Sequence, residues 1–398
     1  MIKKLLLILS CLPFISLAQQ TYVPDDNFEN YLEANGMGDG ITLNNYVYTS
    51  AIDTATNLDV SNQSISDLTG IEGFYSLEYL YCYSNQLTSI DITQNIFLEE
   101  LACDDNNLSS LDVTQNIFLN YLDCTSNNLS SLDVAQNDSL YALYCSNNQL
   151  TTLDVSNNIF LAGLNCANNL LSSIDVSQNN RLHWFPCHDN FLTTIDVSNN
   201  FDLHTFMCYN NLLTSLDLTN NFYLEYLGCS GNQISSINFP FFSQIIDLVC
   251  HDNNLTSLDL SNHSELSLLV CGNNNLELLD LSSNINLTSL WCENNQLSFL
   301  NVTNGNNTNL THFSAQNNPS LSCINVDSPN YSSLNWISID PQHYFSDNCP
   351  PASIEDHNTR KETFKVIDIL GREVIEKRNT LLFYIYDDGT VEKRIVIE

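Results

Sequence analysis

The chain has 398 residues and is strongly acidic, with 46 Asp and Glu against 11 Lys and Arg and a formal net charge of -35. This balance excludes nucleic acid as a partner, because phosphate binding requires clustered cations. It also disfavours docking on an anionic membrane surface, which would repel the chain.

The N-terminal segment is typical of a secretory signal. Lys3 and Lys4 precede an apolar run that ends at Ser16-Leu17-Ala18, where we expect cleavage, so residues 1–18 are predicted to be a signal peptide. The run is too short to span a membrane permanently, and no membrane insertion is expected. Lipidation is an alternative, because Ile8-Leu9-Ser10-Cys11 faintly resembles a bacterial lipoprotein box.

Residues 19–57 lie outside the repeat that fills the middle of the chain and are predicted to be an N-terminal cap. The stretch 24–27 reads as a helix start, and Phe28, Tyr31 and Leu32 form one apolar face before Gly36 ends it. A stack of repeats exposes apolar residues at its end, so a helix covering that end is expected.

The stretch from Leu77 to Leu297 repeats a unit of 21 residues without a gap, and residues 58–322 as a whole are predicted to form one solenoid. The unit reads L-x-x-L-x-C-x-x-N-x-L and resembles the leucine-rich repeat family, with Cys where that family usually has a third Leu. The resemblance implies coils stacked side by side. The recurring cysteines are Cys82, Cys103, Cys124, Cys145, Cys166, Cys187, Cys208, Cys229, Cys250, Cys271 and Cys292.

Alternation within each unit predicts a long parallel sheet. Leu143 and Cys145 alternate with Ala142 and Tyr144, as in a strand buried on one side. A second alternation, in residues 153–156, predicts another short parallel strand in every coil. The Asn three places after each cysteine is expected to pair with the backbone of the neighbouring coil, because an amide both donates and accepts.

The regular cysteines are interpreted as buried packing residues. Metal sites need cysteines that converge on one point, whereas these are spaced one per coil. Free Cys is a small residue that is often fully buried. Occasional disulfides between coils remain an alternative.

A row of aspartates lies between two inward-facing residues in nine of the eleven units and is therefore expected to face solvent, whereas Asn238 and Asn301 take the place of Asp in the other two. Hydrogen bonds from adjacent Ser and Thr would offset the repulsion within the row. No cofactor is expected, and weak calcium binding along the row is the alternative. The weak metal candidates are Asp112, Asp133, Asp154, Asp175 and Asp196.

Residues 323–350 are predicted to cap the C-terminal end. Cys323 and Cys349 stand apart from the repeat, and in an exported chain they are expected to form a disulfide. Residues 351–398 form a linker and a tail, in which 365–374, 384–390 and 393–398 read as three strands of a small antiparallel module.

This tail resembles the C-terminal sorting domain of the Bacteroidetes type IX secretion system, although it is short and lacks that family's Pro-Asn-Pro start. The entry segment also resembles leucine-rich proteins secreted by Bacteroidetes. These resemblances imply that the type IX machinery recognises the tail. They further imply export through the periplasm, so that the protein is secreted or carried on the outer-membrane surface.

No catalytic motif is present, so we expect a binding protein and no enzyme. Three positions per coil face solvent on the main sheet, and they are rich in aromatic residues, which in numbers mark a binding surface. A protein or a glycan is the expected partner. A structural surface protein or a calcium-dependent adhesin without a specific small ligand is the alternative. The candidate binding residues are Tyr79, Tyr81, Tyr83, Tyr121, Tyr144, Trp184, His188, Tyr209, Tyr226 and Trp291.

Overall fold

The computed structural model describes residues 19–350 and three short strands of the tail. Two compact units are present, Met1–Asn348 and Cys349–Glu398, and each is described by itself. The predicted signal peptide 1–18, the linker 351–362 and the turns of the tail lie outside the described residues.

The larger unit is built on one sheet of thirteen parallel strands, each from one coil. Each strand pairs in register with the next, so that Leu122 lies beside Leu143 and Leu143 beside Leu164. The parallel solenoid with coils of 21 residues is therefore confirmed. The strands are Asn57–Asp59, Tyr79–Tyr81, Glu100–Ala102, Tyr121–Asp123, Ala142–Tyr144, Gly163–Asn165, Trp184–Pro186, Thr205–Met207, Tyr226–Gly228, Asp247–Val249, Leu268–Val270, Ser289–Trp291 and His312–Ser314.

The core lies inside the coils and contains the repeated Leu and Cys side chains. Leu143, Cys145 and Leu150 are each 0 % exposed. The eleven regularly spaced cysteines are free and buried, as the packing interpretation predicted. Burial raises the pKa of each of these thiols, to about 12 for Cys166 and Cys229, which keeps them protonated and unreactive. Cys323 and Cys349 are both disulfide-bonded.

Two rows of asparagine side chains join the coils. Asn148 Oδ1 accepts from Leu129 N at 2.9 Å, and its Nδ2 donates to Cys124 O at 2.9 Å, as predicted for this row. The second row was not predicted. Asn158 is 0 % exposed, and its Nδ2 donates to Val134 O at 3.0 Å and to Asn137 O at 2.9 Å. Both rows give buried carbonyl groups a partner in the adjacent coil.

The prediction of a second strand in every coil is wrong. Parallel pairing outside the main sheet occurs between Leu216–Asp217 and Ile237–Asn238, and in a sheet of four strands near the C-terminal end. Alternation of side chains reports which side is buried, but a strand also needs hydrogen bonds to its neighbour. The four strands are Leu278–Asp280, Phe299–Val302, Cys323–Val326 and Tyr344–Ser346.

The N-terminal end carries the predicted helix, which spans Asp26–Ala34 and buries Phe28 and Leu32. Asp25 caps this helix through Phe28 N and also accepts from Ser66 N at 2.8 Å. This single carboxylate therefore joins the cap to the first coil. Around the helix lie an antiparallel pair of strands, Gln20–Tyr22 and Tyr46–Tyr48, a short helix Thr49–Ile52 and a 3-10 turn Ile71–Gly73.

The C-terminal end is covered by a 3-10 turn, Asn307–Asn309, and a helix, Pro329–Asn335. Trp336 follows this helix and stacks on Phe313 with ring centroids 4.4 Å apart. Its indole N–H donates to Leu310 O at 3.0 Å, so the large ring is buried with its polar atom paired. An aromatic cluster therefore closes this end of the core.

The smaller unit contains three antiparallel strands, Thr363–Ile367, Leu381–Tyr386 and Val391–Ile395, with Leu381–Tyr386 in the middle. Among the residues that the structure describes in either unit, no helix is long and apolar enough to cross a membrane.

Candidate functional site

The outer face of the thirteen-stranded sheet presents three side chains per coil, placed three before, one before and one after the position of the repeated cysteine. Along this sheet face these positions vary between coils, whereas the inward position two places before the cysteine is Leu in every repeat except two, where it is Phe185 and Phe206. All ten candidate binding residues lie on it and are half-buried. A protein usually buries an aromatic ring or leaves it isolated, so this concentration favours contact with a partner.

Three of the rings form a continuous patch, which we call the central aromatic patch. Tyr121 and Tyr144 meet edge-on with centroids 5.6 Å apart, and Tyr144 meets Trp184 edge-on at 5.5 Å. Tyr144 and Trp184 are separated by one strand, whose residue between them is Gly163. A Cβ atom there would lie 3.5 Å from the Tyr144 hydroxyl. Both rings therefore lie against this glycine and meet across its strand.

A second group lies farther along the sheet face. The rings of His188 and Tyr209 stack with centroids 4.0 Å apart, and His188 Nδ1 is 2.7 Å from a carboxylate oxygen of Asp189. The rings of Tyr209 and Tyr226 both lie against Gly228. Ring contact therefore places Trp184 with Tyr144 in the central aromatic patch, and His188 with Tyr209 in this second group.

Carboxylates surround the tyrosines of the first coils. The Tyr81 hydroxyl donates to Glu100 Oε2 at 2.8 Å, and burial together with this bond raises the pKa of Tyr81 to about 12. Burial, and then the neighbouring Asp123, raises the pKa of Asp104 to about 6. Burial also raises the pKa of Asp123, although hydrogen bonds from Thr125 oppose it. The carboxylates on this part of the sheet face have no lysine or arginine to pair with, since Arg181 is the only such residue between Lys4 and Arg360.

The aspartate row lies outside the main sheet and is exposed, as predicted. Asp112 Oδ1 accepts from Thr114 N at 2.9 Å and from its hydroxyl at 2.7 Å. These bonds, the hydroxyl first, lower the pKa of Asp112. Asp154 and Asp175 accept the N–H of the serine two residues on in the same way. No group of three or more metal-ligating side chains occurs in the described part of the chain, and calcium binding remains a hypothesis.

Sequence reasoning missed a row of exposed apolar residues, which recurs fourteen and fifteen places after the cysteine. Each apolar side chain in this row, Ile285 included, is 40 to 55 % exposed. The recurring sequence N-I-F-L was the available signal. A recurring phenylalanine predicts a core position, and only the folded coil shows that this one is exposed. Arg181 lies over the ring of Phe160 at 4.8 Å. The row includes Ile96, Phe97, Ile117, Phe118, Ile159, Phe160, Phe201, Phe222 and Tyr223.

Comparison with known proteins supports the fold. No family model matches the chain. Internalin J of Listeria monocytogenes is 35 % identical over 74 residues, which are 19 % of this chain and 8 % of internalin J. The crystal structure of an internalin, InlF, from Listeria monocytogenes has a TM-score of 0.59 at 21 % identity, covering 83 % of this chain and 96 % of that one.

A second solved structure, the LRR protein LIC12759 of Leptospira interrogans, has a TM-score of 0.53 at 22 % identity. It covers 75 % of this chain and 85 % of that one. At these identities the likeness concerns the fold. The chain has the architecture of the leucine-rich repeat proteins, as its 21-residue period predicted.

Proposed function

We propose that this protein is a non-enzymatic binding protein, secreted or carried on the cell surface, which recognises another protein through the sheet face. The single observation that carries the proposal is the central aromatic patch. Three large rings contact one another across four coils at positions where stacking of the coils requires only a soluble side chain. Aromatic rings bury a large area with few rotatable bonds, which suits them to anchor a partner.

The charge of the sheet face supports a basic partner. Glu100, Asp104 and Asp123 lie beside the patch, and burial raises the pKa of the two aspartates, so water already solvates them poorly. A cation that binds there would replace lost solvation and stabilise the charged forms. A basic protein surface is therefore favoured over an anionic one.

The cellular setting is part of the same proposal. It is supported by the signal-like segment 1–18 and by the resemblance of the tail to a type IX sorting domain, whose secretion machinery would be a second partner. The similarity to internalin J over 74 residues agrees with a bacterial surface protein but covers little of either chain.

The proposal is tested by probing an array of purified surface proteins and glycans with the full chain. We expect a protein to be captured, and we expect the combined Tyr81→Ser, Tyr144→Ser and Trp184→Ser variant to weaken its binding at least ~100-fold, since hot-spot aromatic residues each contribute ~2 kcal/mol or more. The melting temperature should change little, because all three rings lie outside the core.

The matched control changes three exposed rings elsewhere, Phe97→Ser, Phe118→Ser and Phe160→Ser in the apolar row. This control should retain binding. Capture of glycans alone, unchanged binding by the first variant, or loss of binding by the control would each overturn the proposal. Absence of any captured partner would favour a purely structural surface protein.

A further inference from the structure

A cavity of about 460 Å³ opens on the sheet face far from the central aromatic patch. Its apolar walls are Leu268, Val270 and Trp291, which project outward from two adjacent strands. His251, Asn273 and Glu293 supply its polar lining. The indole of Trp291 stacks on His312 with centroids 5.7 Å apart, which holds the ring in place.

Glu293 gives this cavity its chemistry. Its Oε2 atom is buried and has no hydrogen-bond partner among the residues that the structure describes. Gly272 lies beside it in the adjacent coil, and a Cβ atom there would come within 3.3 Å of the carboxylate carbon. The backbone of Glu293 is anchored, because its carbonyl accepts from Asn273 N at 2.9 Å.

An unpaired carboxylate oxygen in an apolar setting is costly unless a cation meets it. The solenoid supplies none, since its single basic residue, Arg181, lies over Phe160. The neighbouring imidazole of His251 is already 2.6 Å from Asp252. No lysine or arginine of the solenoid therefore complements the Glu293 carboxylate, which leaves it available to a cation of a bound partner.

From this geometry we infer that the cavity is a specificity pocket for a lysine side chain of the partner protein. The alkyl stem of lysine would lie along Leu268 and Val270, with the ammonium group at Glu293 and beside the Trp291 ring. Because Oε2 is buried, Oε1 is the oxygen that a ligand can reach, and one accessible acceptor suits a compact ammonium, whereas a guanidinium binds best to both oxygens of a carboxylate. This inference rests on the proposed function and adds that the partner protein is recognised through one of its lysine side chains.

The test uses the full chain and three blocked tripeptides, Ac-Gly-Lys-Gly-NH2 and its norleucine and arginine counterparts. The chain has three tryptophans, so the indole N–H of Trp291 can be assigned by NMR from a Trp291→Phe variant. We expect the lysine peptide to shift that resonance with a Kd of ~1 mM and to bind about tenfold more tightly than the norleucine peptide. The indole resonances of Trp184 and Trp336 should not move.

Glu293→Gln should reduce binding of the lysine peptide to the level of the norleucine peptide and leave the norleucine peptide unchanged. Glu293→Asp keeps the charge and should bind the lysine peptide with an intermediate affinity. This second variant tests the inference even if Glu293→Gln does not fold. Equal binding of the lysine and norleucine peptides, tighter binding of the arginine peptide, or an unaffected Gln variant would overturn it.

Failure here is distinguishable from failure of the proposed function. If the Tyr81, Tyr144 and Trp184 variant no longer binds a protein that the wild type captures, the proposed function stands. If the lysine peptide then fails to shift the Trp291 resonance, only the pocket is overturned. Saturable lysine binding without any captured protein supports the pocket and overturns the proposed partner.

Discussion

The sheet face and the aspartate row are both exposed sides of the same coils, but their side chains are satisfied in different ways. On the aspartate row the residue recurs, and Asp112 bonds to the threonine two places on within its own coil. On the sheet face the residues vary, and their contacts cross coils, as in the pairing of Tyr144 with Trp184. A repeated residue with a local partner supports the fold, whereas a varied one with partners in other coils is available for recognition.

The pKa directions express the same contrast. Hydrogen bonds lower the pKa of Asp112, so its charged form is stabilised by folding. Burial and Asp123 raise the pKa of Asp104 to about 6, so its charged form is destabilised by folding. Removal of one negative charge should therefore have opposite effects on stability at the two sides.

The largest expected effect comes from the asparagine row on which both sides depend. Asn148→Ala leaves Leu129 N buried without a partner and removes one of the two amide donors to Cys124 O, and we expect it to lower the free energy of unfolding by about 3 kcal/mol. Urea denaturation followed by circular dichroism measures the change. Asn128→Ala removes an exposed amide of the preceding coil and should cost less than about 0.5 kcal/mol. Equal losses in the two variants would contradict the role of this row.

The next effect concerns the sheet face. Because the pKa of Asp104 is about 6 in the folded chain and 3.8 ordinarily, the contribution of Asp104 to stability falls as the pH rises from 4 through 6. Asp104→Asn removes this loss, so the variant should gain stability over the wild type by about 1 kcal/mol at pH 8, a modest value because the group is half-exposed and screened by water.

At pH 4 the gain of Asp104→Asn should have largely disappeared, since Asp104 is then protonated in the folded wild type. Urea midpoints at pH 4, 6 and 8 measure this difference. A gain that does not depend on pH, or a loss at pH 8, would show that Asp104 is not held in a destabilised charged form.

The smallest effect, with the opposite sign, is expected on the aspartate row. Asp112→Asn keeps an acceptor for Thr114 but loses the charge, so it should destabilise the protein at pH 7 by less than about 0.5 kcal/mol. Because folding lowers the pKa of Asp112, this contribution exists above the ordinary value of 3.8 and is lost as the pH falls below it. A clear stabilisation by Asp112→Asn at pH 7 would erase the distinction between the two sides.

Much of the fold was predictable because a period of 21 residues leaves little freedom. Each Leu and Cys recurs at the same phase, so one buried strand in one coil implies the same strand in the others. The second asparagine row was not foreseen, because Asn158 lies in a turn where polar residues are ordinary, and only the stacked coil shows that it is 0 % exposed. The prediction of a second strand in every coil was wrong because inward and outward residues alternate there, but in most coils the backbone does not pair with that of the neighbouring coil.

The candidate site was predictable as a set of residues but not as a set of contacts. Spacing relative to the cysteine was enough to place all ten candidates on the sheet face. It did not show that Tyr144 reaches Trp184 over Gly163, because a ring contact across an intervening strand depends on the directions of the two side chains. Nor did it show the pocket at Glu293, whose members come from three coils and in which a glycine leaves the space.

The sequence by itself determined the period, the inward positions, the first asparagine row and the acidic character of the outer faces, because these follow from residue type and phase. The tertiary structure alone decided which outward side chains touch, which carboxylates are desolvated, and that the recurring phenylalanines stay exposed. Those properties depend on distances between coils, which residue order does not specify.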